Sequence, residues 1–264
     1  DWSSDVCSSD LKDIKENSMG DMLEAFASLM KKVYQSFRYL LESEVLYPED
    51  NESFQAVLSG KVSKVELQYS LSNLTDYLAR YHKKNVLVLI DEYDAPIQAA
   101  WDNDYYPEAI NFVRNYLSSV LKSNPHLDFA VLTGVLRIAK ESIFSSLNNL
   151  KVASVAAGGL EEVMGFTHAE IEQMAKDFGV PEKYEEIKAW YDGYNFSGRE
   201  MYNPWSVVSY FENNCQAAAY WVNTSGNSIL SQLLENATVA QTNELTELLH
   251  GKTVSAELME GIIY

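Results

Sequence analysis

Cysteine is nearly absent from this chain: Cys7 and Cys215 are the only two in 264 residues. Two isolated thiols supply neither a metal-ligand set nor a disulfide framework. Basic residues are also scarce, with 20 Lys and Arg against 38 Asp and Glu and a formal net charge of −18. A surface that neutralises phosphates needs clustered Lys and Arg, so direct nucleic-acid binding by this segment is not expected. The excess acids read as solubilising helix faces. No stretch approaches the roughly 20 apolar residues of a membrane span, and no basic-then-apolar leader opens the chain. The expectation is a cytoplasmic protein with no membrane partner. His82, His126, His168 and His250 show no ligand spacing and read as ordinary surface or core residues.

What is present is enough apolar sequence, 47% of residues, to bury a core. The length suits one large domain or two small ones. The first eleven residues stand apart. DWSSDVCSSDL has no helical or strand period and clusters Ser with Asp. One reading frame of a common sequencing-library adapter translates to this string. Residues 1–11 are therefore expected to be an assembly scar outside the fold, with native sequence starting at Lys12 and its upstream part cut away.

Beyond that segment, KDIKE (Lys12–Glu16) reads as the tail of a strand. Met22, Phe26, Leu29, Met30, Val33, Phe37, Leu40 and Leu41 recur at three-four spacing, which predicts a helix over 21–41 with one buried face. A turn and short helix follow over 48–60. Leu67, Leu71, Leu74, Leu78 and Tyr81 form the stripe of another helix over 65–81. Val86–Ile90 is a short apolar run that predicts a parallel strand buried on both faces. A helix over 107–121 and a second buried strand over 129–132 come next. A short helix over 142–147 and a third strand over 152–155 complete an α/β pattern. After Gly158-Gly159 the pattern turns helical. Thr167 with Glu170 makes a capping box for a helix that stops near Gly179. Another helix runs from Pro181 to Gly193, Asn203-Pro204 opens the next, and 227–234 and 243–249 also read as helices. The domain boundary is expected near residue 158.

The chemistry concentrates where VLVLIDEYD (Val86–Asp94) ends. Apolar residues closing on Asp-Glu form a Walker B pattern. A parallel strand delivers its C-terminal residues to the crevice where ligands bind in such sheets. There Asp91 can hold Mg²⁺ beside the phosphates of ATP, and Glu92 can orient and deprotonate an attacking water. Alone the motif is weak, since a core strand can simply end in solvated acids. The next strand, however, ends in Thr133, which would lie beside Asp91 in the sensor 1 role. Arg137, one helical turn on, can pair with phosphate. Asp94 could face the same metal or cap the turn at Pro96, with the cap favoured. Tyr93 reads as packing ahead of an adenine or phosphate neighbour.

A phosphate-binding loop, G-x-x-x-x-G-K-[ST], is missing from the sequence. Gly251-Lys252-Thr253 is a decoy, because Thr246 occupies the position of the first Gly. That segment reads as a helix C-cap.

DEYDAPI (Asp91–Ile97), LTGVLRIAKESIFSSLNNL (Leu132–Leu150), GFT (Gly165–Thr167), WYDGY (Trp190–Tyr194) and YNPWSV (Tyr202–Val207) together resemble the bacterial AAA-ATPase-like family, which is related to the archaeal-type STAND-like ATPases. The resemblance implies a partial P-loop NTPase core of RecA/AAA-like α/β fold over 12–158. It implies a helical lid with a winged-helix-like region over 159–264. It assigns Mg²⁺ to Asp91, the catalytic acid to Glu92 and a phosphate sensor to Arg137. It also places a Walker A loop upstream and a fused PD-(D/E)XK nuclease-like domain after Tyr264. ATP and Mg²⁺ are then the cofactors of the intact protein, and this segment is truncated and inactive by itself. WYDGY and YNPWSV read first as aromatic packing and second as a lid surface. Two other functions stay open: a nucleotide-independent interaction module on an ATPase fold, and a metal-dependent phosphodiesterase using Asp91, Glu92 and Asp94.

Overall fold

The structure, a computed structural model, describes residues 6–135, 150–153, 161–196, 198–222, 234 and 237–254. The chain divides into two compact units, the first reaching Leu150 and the second covering Lys151–Ala256. That division falls ahead of the glycine pair at which the helical pattern was expected to begin.

The first unit is mixed α/β. Its three-stranded sheet runs β1 (Val6–Asp10), β2 (Val86–Asp91), β3 (Leu127–Leu132), all parallel with β2 central. Between β1 and β2 come α1 (Met19–Ser36), α2 (Pro48–Ser59) and α3 (Lys64–His82). Between β2 and β3 come α4 (Ala95–Asp102) and α5 (Tyr106–Leu121).

Local signals start and stop these helices. Ser18 accepts a bond from the Asp21 N–H at 3.2 Å to open α1. Ser63 and Glu66 cap each other's backbone at the start of α3. Gly60, with φ +72°, closes α2 in the left-handed conformation that a side chain would strain. The apolar stripes then meet. Met22, Phe26, Met30 and Val33 of α1, Leu67, Leu71, Leu74 and Leu78 of α3, and Ile110, Val113 and Leu117 of α5 are all buried in one core. Each such side chain contributes roughly 1.5–3 kcal/mol of burial. Phe26 meets Phe112 edge-on at 5.0 Å, and Tyr34 satisfies its buried hydroxyl on the Ser70 carbonyl at 2.7 Å. Arg80 of α3 reaches Asp50 of α2 at 2.7 Å and Asp76, one turn back on its own helix, at 2.9 Å.

Three sequence expectations are corrected here. First, the segment set aside as a scar contributes Val6–Asp10 as an edge strand. The ladder is made by backbone groups, which any side chain permits, and the alternation turns Cys7 and Ser9 inward where both fit. Second, KDIKE is turn and loop, because β1 has already ended at Asp10. Third, the strands are buried on one face only. Val86, Val88 and Ile90 point into the core, while Leu89, Phe129 and Val131 stay exposed on the other face, Phe129 by 63%. The helix over 142–147 lies outside the described residues. Val152 and Ala153 are not in a strand, and the rest of the strand expected there lies outside the described residues.

The second unit combines helices with a hairpin. Thr167 and Glu170 form the expected capping box of α6 (His168–Asp177). Next come α7 (Tyr184–Tyr191), then β4 (Asp192–Phe196) antiparallel to β5 (Arg199–Tyr202), α8 (Pro204–Glu212) and α9 (Val239–Leu249). The helix expected from Pro181 to Gly193 is found as a 3-10 turn at Pro181–Lys183 running into α7, and the hairpin takes over at Asp192. Tyr194 and Phe196 favour a strand, and Gly198 at φ +87° makes the turn. Ile171, Ile187, Tyr191, Tyr202, Val207 and Tyr210 form the core of this unit. No helix among the described residues is long and apolar enough to cross a membrane. The helix expected over 227–234 lies outside the described residues except at Leu234.

Candidate functional site at the carboxyl edge of the sheet

Pairing register brings three strand ends to one edge. Asp10 of β1 lies opposite Asp91 of β2, and Ile90 lies opposite Leu132, so Thr133 follows directly beside Asp91. The Thr133 hydroxyl donates to Asp91 Oδ1, which also accepts the Glu92 backbone N–H at 3.0 Å. Backbone bonds pin this corner. The Thr133 N–H donates to Ile90 O at 2.9 Å, the Tyr93 N–H to Thr133 O at 3.0 Å, and the Leu11 N–H to Asp91 O at 3.0 Å. Both Asp91 and Thr133 are exposed and Glu92 is half-buried.

Glu92 adopts φ +49°, the left-handed region that a non-glycine residue enters at a cost of about 1 kcal/mol or more. The strained residue turns the chain from β2 into α4 immediately after the Asp-Glu pair. Both donors to Asp91 converge on Oδ1, so Oδ2 remains for another partner among the described residues. An exposed carboxylate with one oxygen held and the other available suits a hard cation such as Mg²⁺.

Asp94 does something else. It occupies the N-cap position of α4, but its side chain makes no cap bond. Only 2% exposed, it is turned inward so that its Oδ1 would meet a Cβ added to Gly134 at 2.6 Å. The expected cap is thus replaced by a buried contact against the loop after β3. Tyr93 is buried on the same glycine, in the packing role expected of it. Arg137 lies outside the described residues.

Asp10 and Lys12 also reach this edge, which sequence reasoning missed. Lys12 pairs with Asp10 at 3.1 Å. The Lys12 backbone N–H, at 2.9 Å, holds the Asp10 carboxyl below its ordinary range. Nothing in VCSSDLK signals a strand end; only the register exposes it. Elsewhere in the first unit, a groove lined by Leu23, Ala27, Lys31, Val62 and Leu67 includes none of these residues. The GKT decoy is a helix end, with the Gly251 N–H bonded to Leu248 O at 2.9 Å.

The aromatic motifs of the second unit divide between packing and exposure. Tyr191 and Tyr202 are buried, with the Tyr191 hydroxyl donating to Ala218 O at 3.1 Å, while Trp190, Tyr194 and Trp205 are exposed. The His168 ring lies beside Asp192 and Glu200.

Among known proteins, the chain is 35% identical over 155 residues to an uncharacterized protein in the vnfD 5′ region of Azotobacter chroococcum mcd 1. That match covers 57% of this chain and 29% of the other, so the chain spans under a third of its relative's length. No solved structure matches it. The family model of the AAA-ATPase-like proteins, described as predicted AAA-ATPase, matches residues 3–144. With more than half its length on that model, and Asp91 beside Thr133 at the carboxyl edge of a parallel sheet, this chain belongs to the AAA-ATPase-like family.

Proposed function

We propose that this chain carries the Walker B and sensor 1 part of an ATP-binding and hydrolysing switch. The observation that carries the reading is the joined pair of Asp91 and Thr133 side chains at the ends of adjacent parallel strands. Asp91 holds Mg²⁺ through its open carboxylate oxygen. Glu92 orients water and takes its proton, and Thr133 places a hydroxyl toward the terminal phosphate or that water. Arg137 supplies a positive charge for phosphate. Bound Mg²⁺ would neutralise charge building on the phosphate oxygens during transfer. In this reading the phosphate loop and its Lys come from sequence outside these 264 residues. Support comes from exposed Leu89, Phe129 and Val131, which offer apolar surface for a further β-α unit. A helical lid and, as effector, a fused downstream nuclease-like domain are the further parts that the resemblance implies.

The phosphodiesterase alternative loses ground because Asp94 is buried against Gly134, so three acids do not converge. A nucleotide-independent module is the competing reading, supported by the same missing loop. The test uses the protein extended upstream through a phosphate-binding loop. Glu92→Gln should bind Mg-ATP with turnover reduced by about 10²-fold or more. Equal turnover removes Glu92 from the mechanism. No calorimetric heat with ATP in the unmutated extended protein would favour the interaction module.

A further inference from the structure

The second unit contains a cluster that the ATPase reading does not use. His168 is the first residue of α6, Asp192 begins β4, and Glu200 lies on β5. A ring nitrogen of His168 and one oxygen from each of the two carboxylates all lie within 4.8 Å of one another. The start of α6 and the two strands of one hairpin therefore bring their donor atoms together.

The imidazole is already oriented. Its Nδ1 lies 2.7 Å from the Tyr202 hydroxyl and 3.0 Å from the Tyr184 hydroxyl, while Nε2 faces Glu200 Oε2 at 2.9 Å. If Nδ1 carries the proton toward the tyrosines, the Nε2 lone pair opposes a carboxylate oxygen. The other tautomer donates Nε2–H to Glu200 directly, and a divalent cation would replace that proton between the two. Metal-bound histidines commonly donate the other ring N–H to a fixed oxygen, a part that the Tyr202 and Tyr184 hydroxyls can play at Nδ1. Tyr202 is fully buried, so it holds the ring from a rigid base.

We propose that His168, Asp192 and Glu200 form a binding site for a first-row divalent transition cation, with Zn²⁺ as the ion of choice. One imidazole and two carboxylates suit Zn²⁺ better than Mg²⁺, which prefers an all-oxygen octahedron. Metal–ligand bonds of about 2.1 Å in a tetrahedron separate donors by about 3.4 Å. The three donors, now within 4.8 Å of one another, would draw together to that spacing around an ion. His168 and Glu200 are 36% and 51% exposed, so an ion can enter and a fourth position stays open to solvent. Lys188 Nζ, 3.8 Å from Glu200, is the cation that an incoming ion would displace from that carboxylate. Bound metal would clamp the start of α6 to the β4–β5 hairpin.

The test is isothermal titration of ZnCl₂ into the full chain, beside His168→Ala and Asp192→Asn. Circular dichroism without metal checks that each variant keeps its fold, and Asp192→Asn preserves side-chain shape. The expected result is one saturable equivalent whose affinity falls by at least about tenfold in each variant, undiminished by millimolar MgCl₂. Absence of a saturable equivalent would overturn the proposal. So would an equivalent that survives both substitutions, which would place the ion elsewhere.

Discussion

Gly134 is where the structure makes its sharpest mechanical demand. A Cβ at this position would lie 2.6 Å from Asp94 Oδ1 and 2.8 Å from Tyr93 Cε1. These approaches are roughly 0.6–0.8 Å inside ordinary van der Waals contact. Neither neighbour can step aside cheaply, since Asp94 is 2% and Tyr93 6% exposed. Gly134→Ala should therefore incur an overpacking cost of about 1–3 kcal/mol. A gain of about 0.4–1 kcal/mol from a less flexible unfolded chain offsets part of it. The net expectation is destabilisation by about 1–2 kcal/mol, seen as a fall of roughly 2–8 °C in the melting transition of the full chain. Gly193→Ala is the control: its Cβ would meet nothing within 4 Å, so stability should hold within about 0.5 kcal/mol. A Gly134→Ala chain as stable as the parent would refute the packing of Asp94 and Tyr93 against this loop. The seating of Thr133 beside Asp91 would then need another explanation.

Two further outcomes test the edge strand. Ser9 is buried with its hydroxyl unpaired among the described residues, so Ser9→Ala should stabilise the chain by about 1–2 kcal/mol in urea denaturation; a loss of stability would mean that the hydroxyl has a partner. Burial pushes the Cys7 thiol up to about 12, so iodoacetamide at pH 8 should label Cys7 only after denaturation, as read by peptide mass spectrometry. The raised value also fixes a sign. The stabilising effect of a neutral buried thiol is complete below the unfolded value near 9 and fades as pH climbs toward 12, at up to about 1.4 kcal/mol per pH unit. Rapid labelling of the folded chain at Cys7 would contradict the burial of β1.

Much of this architecture was legible from spacing. The stripes of α1, α3 and α5 come from three-four periodicity that only a helix satisfies, and the Ser63–Glu66 and Thr167–Glu170 pairs mark helix starts by local hydrogen bonding alone. VLVLID announced β2 by composition. What failed depended on partners distant in sequence. VCSSD carries no period, and its place in the sheet is set by backbone pairing to β2. The expected two-sided burial of β2 and β3 followed from their apolar content, but burial depends on what covers a face, and Leu89 and Phe129 are uncovered here. The helix expected from Pro181 to Gly193 overran its end at Tyr191 by two residues, because the hairpin that takes over at Asp192 depends on Arg199–Tyr202 returning beside it. At the site, Asp91 and Thr133 were readable because each ends an apolar strand. The inward turn of Asp94 was not, because it depends on Gly134 across the sheet edge. The grouping of His168 with Asp192 and Glu200 was not legible either, since those neighbours arrive through tertiary structure.

The most direct measurement of the central claim is Mg²⁺-dependent binding of a fluorescent ATP analogue to the upstream-extended protein, comparing the parent with Asp91→Asn. If Asp91 holds the magnesium, adding Mg²⁺ should tighten binding in the parent by about tenfold or more, and the variant should lose most of that gain while keeping its metal-free affinity. An undiminished magnesium effect in Asp91→Asn would contradict the account.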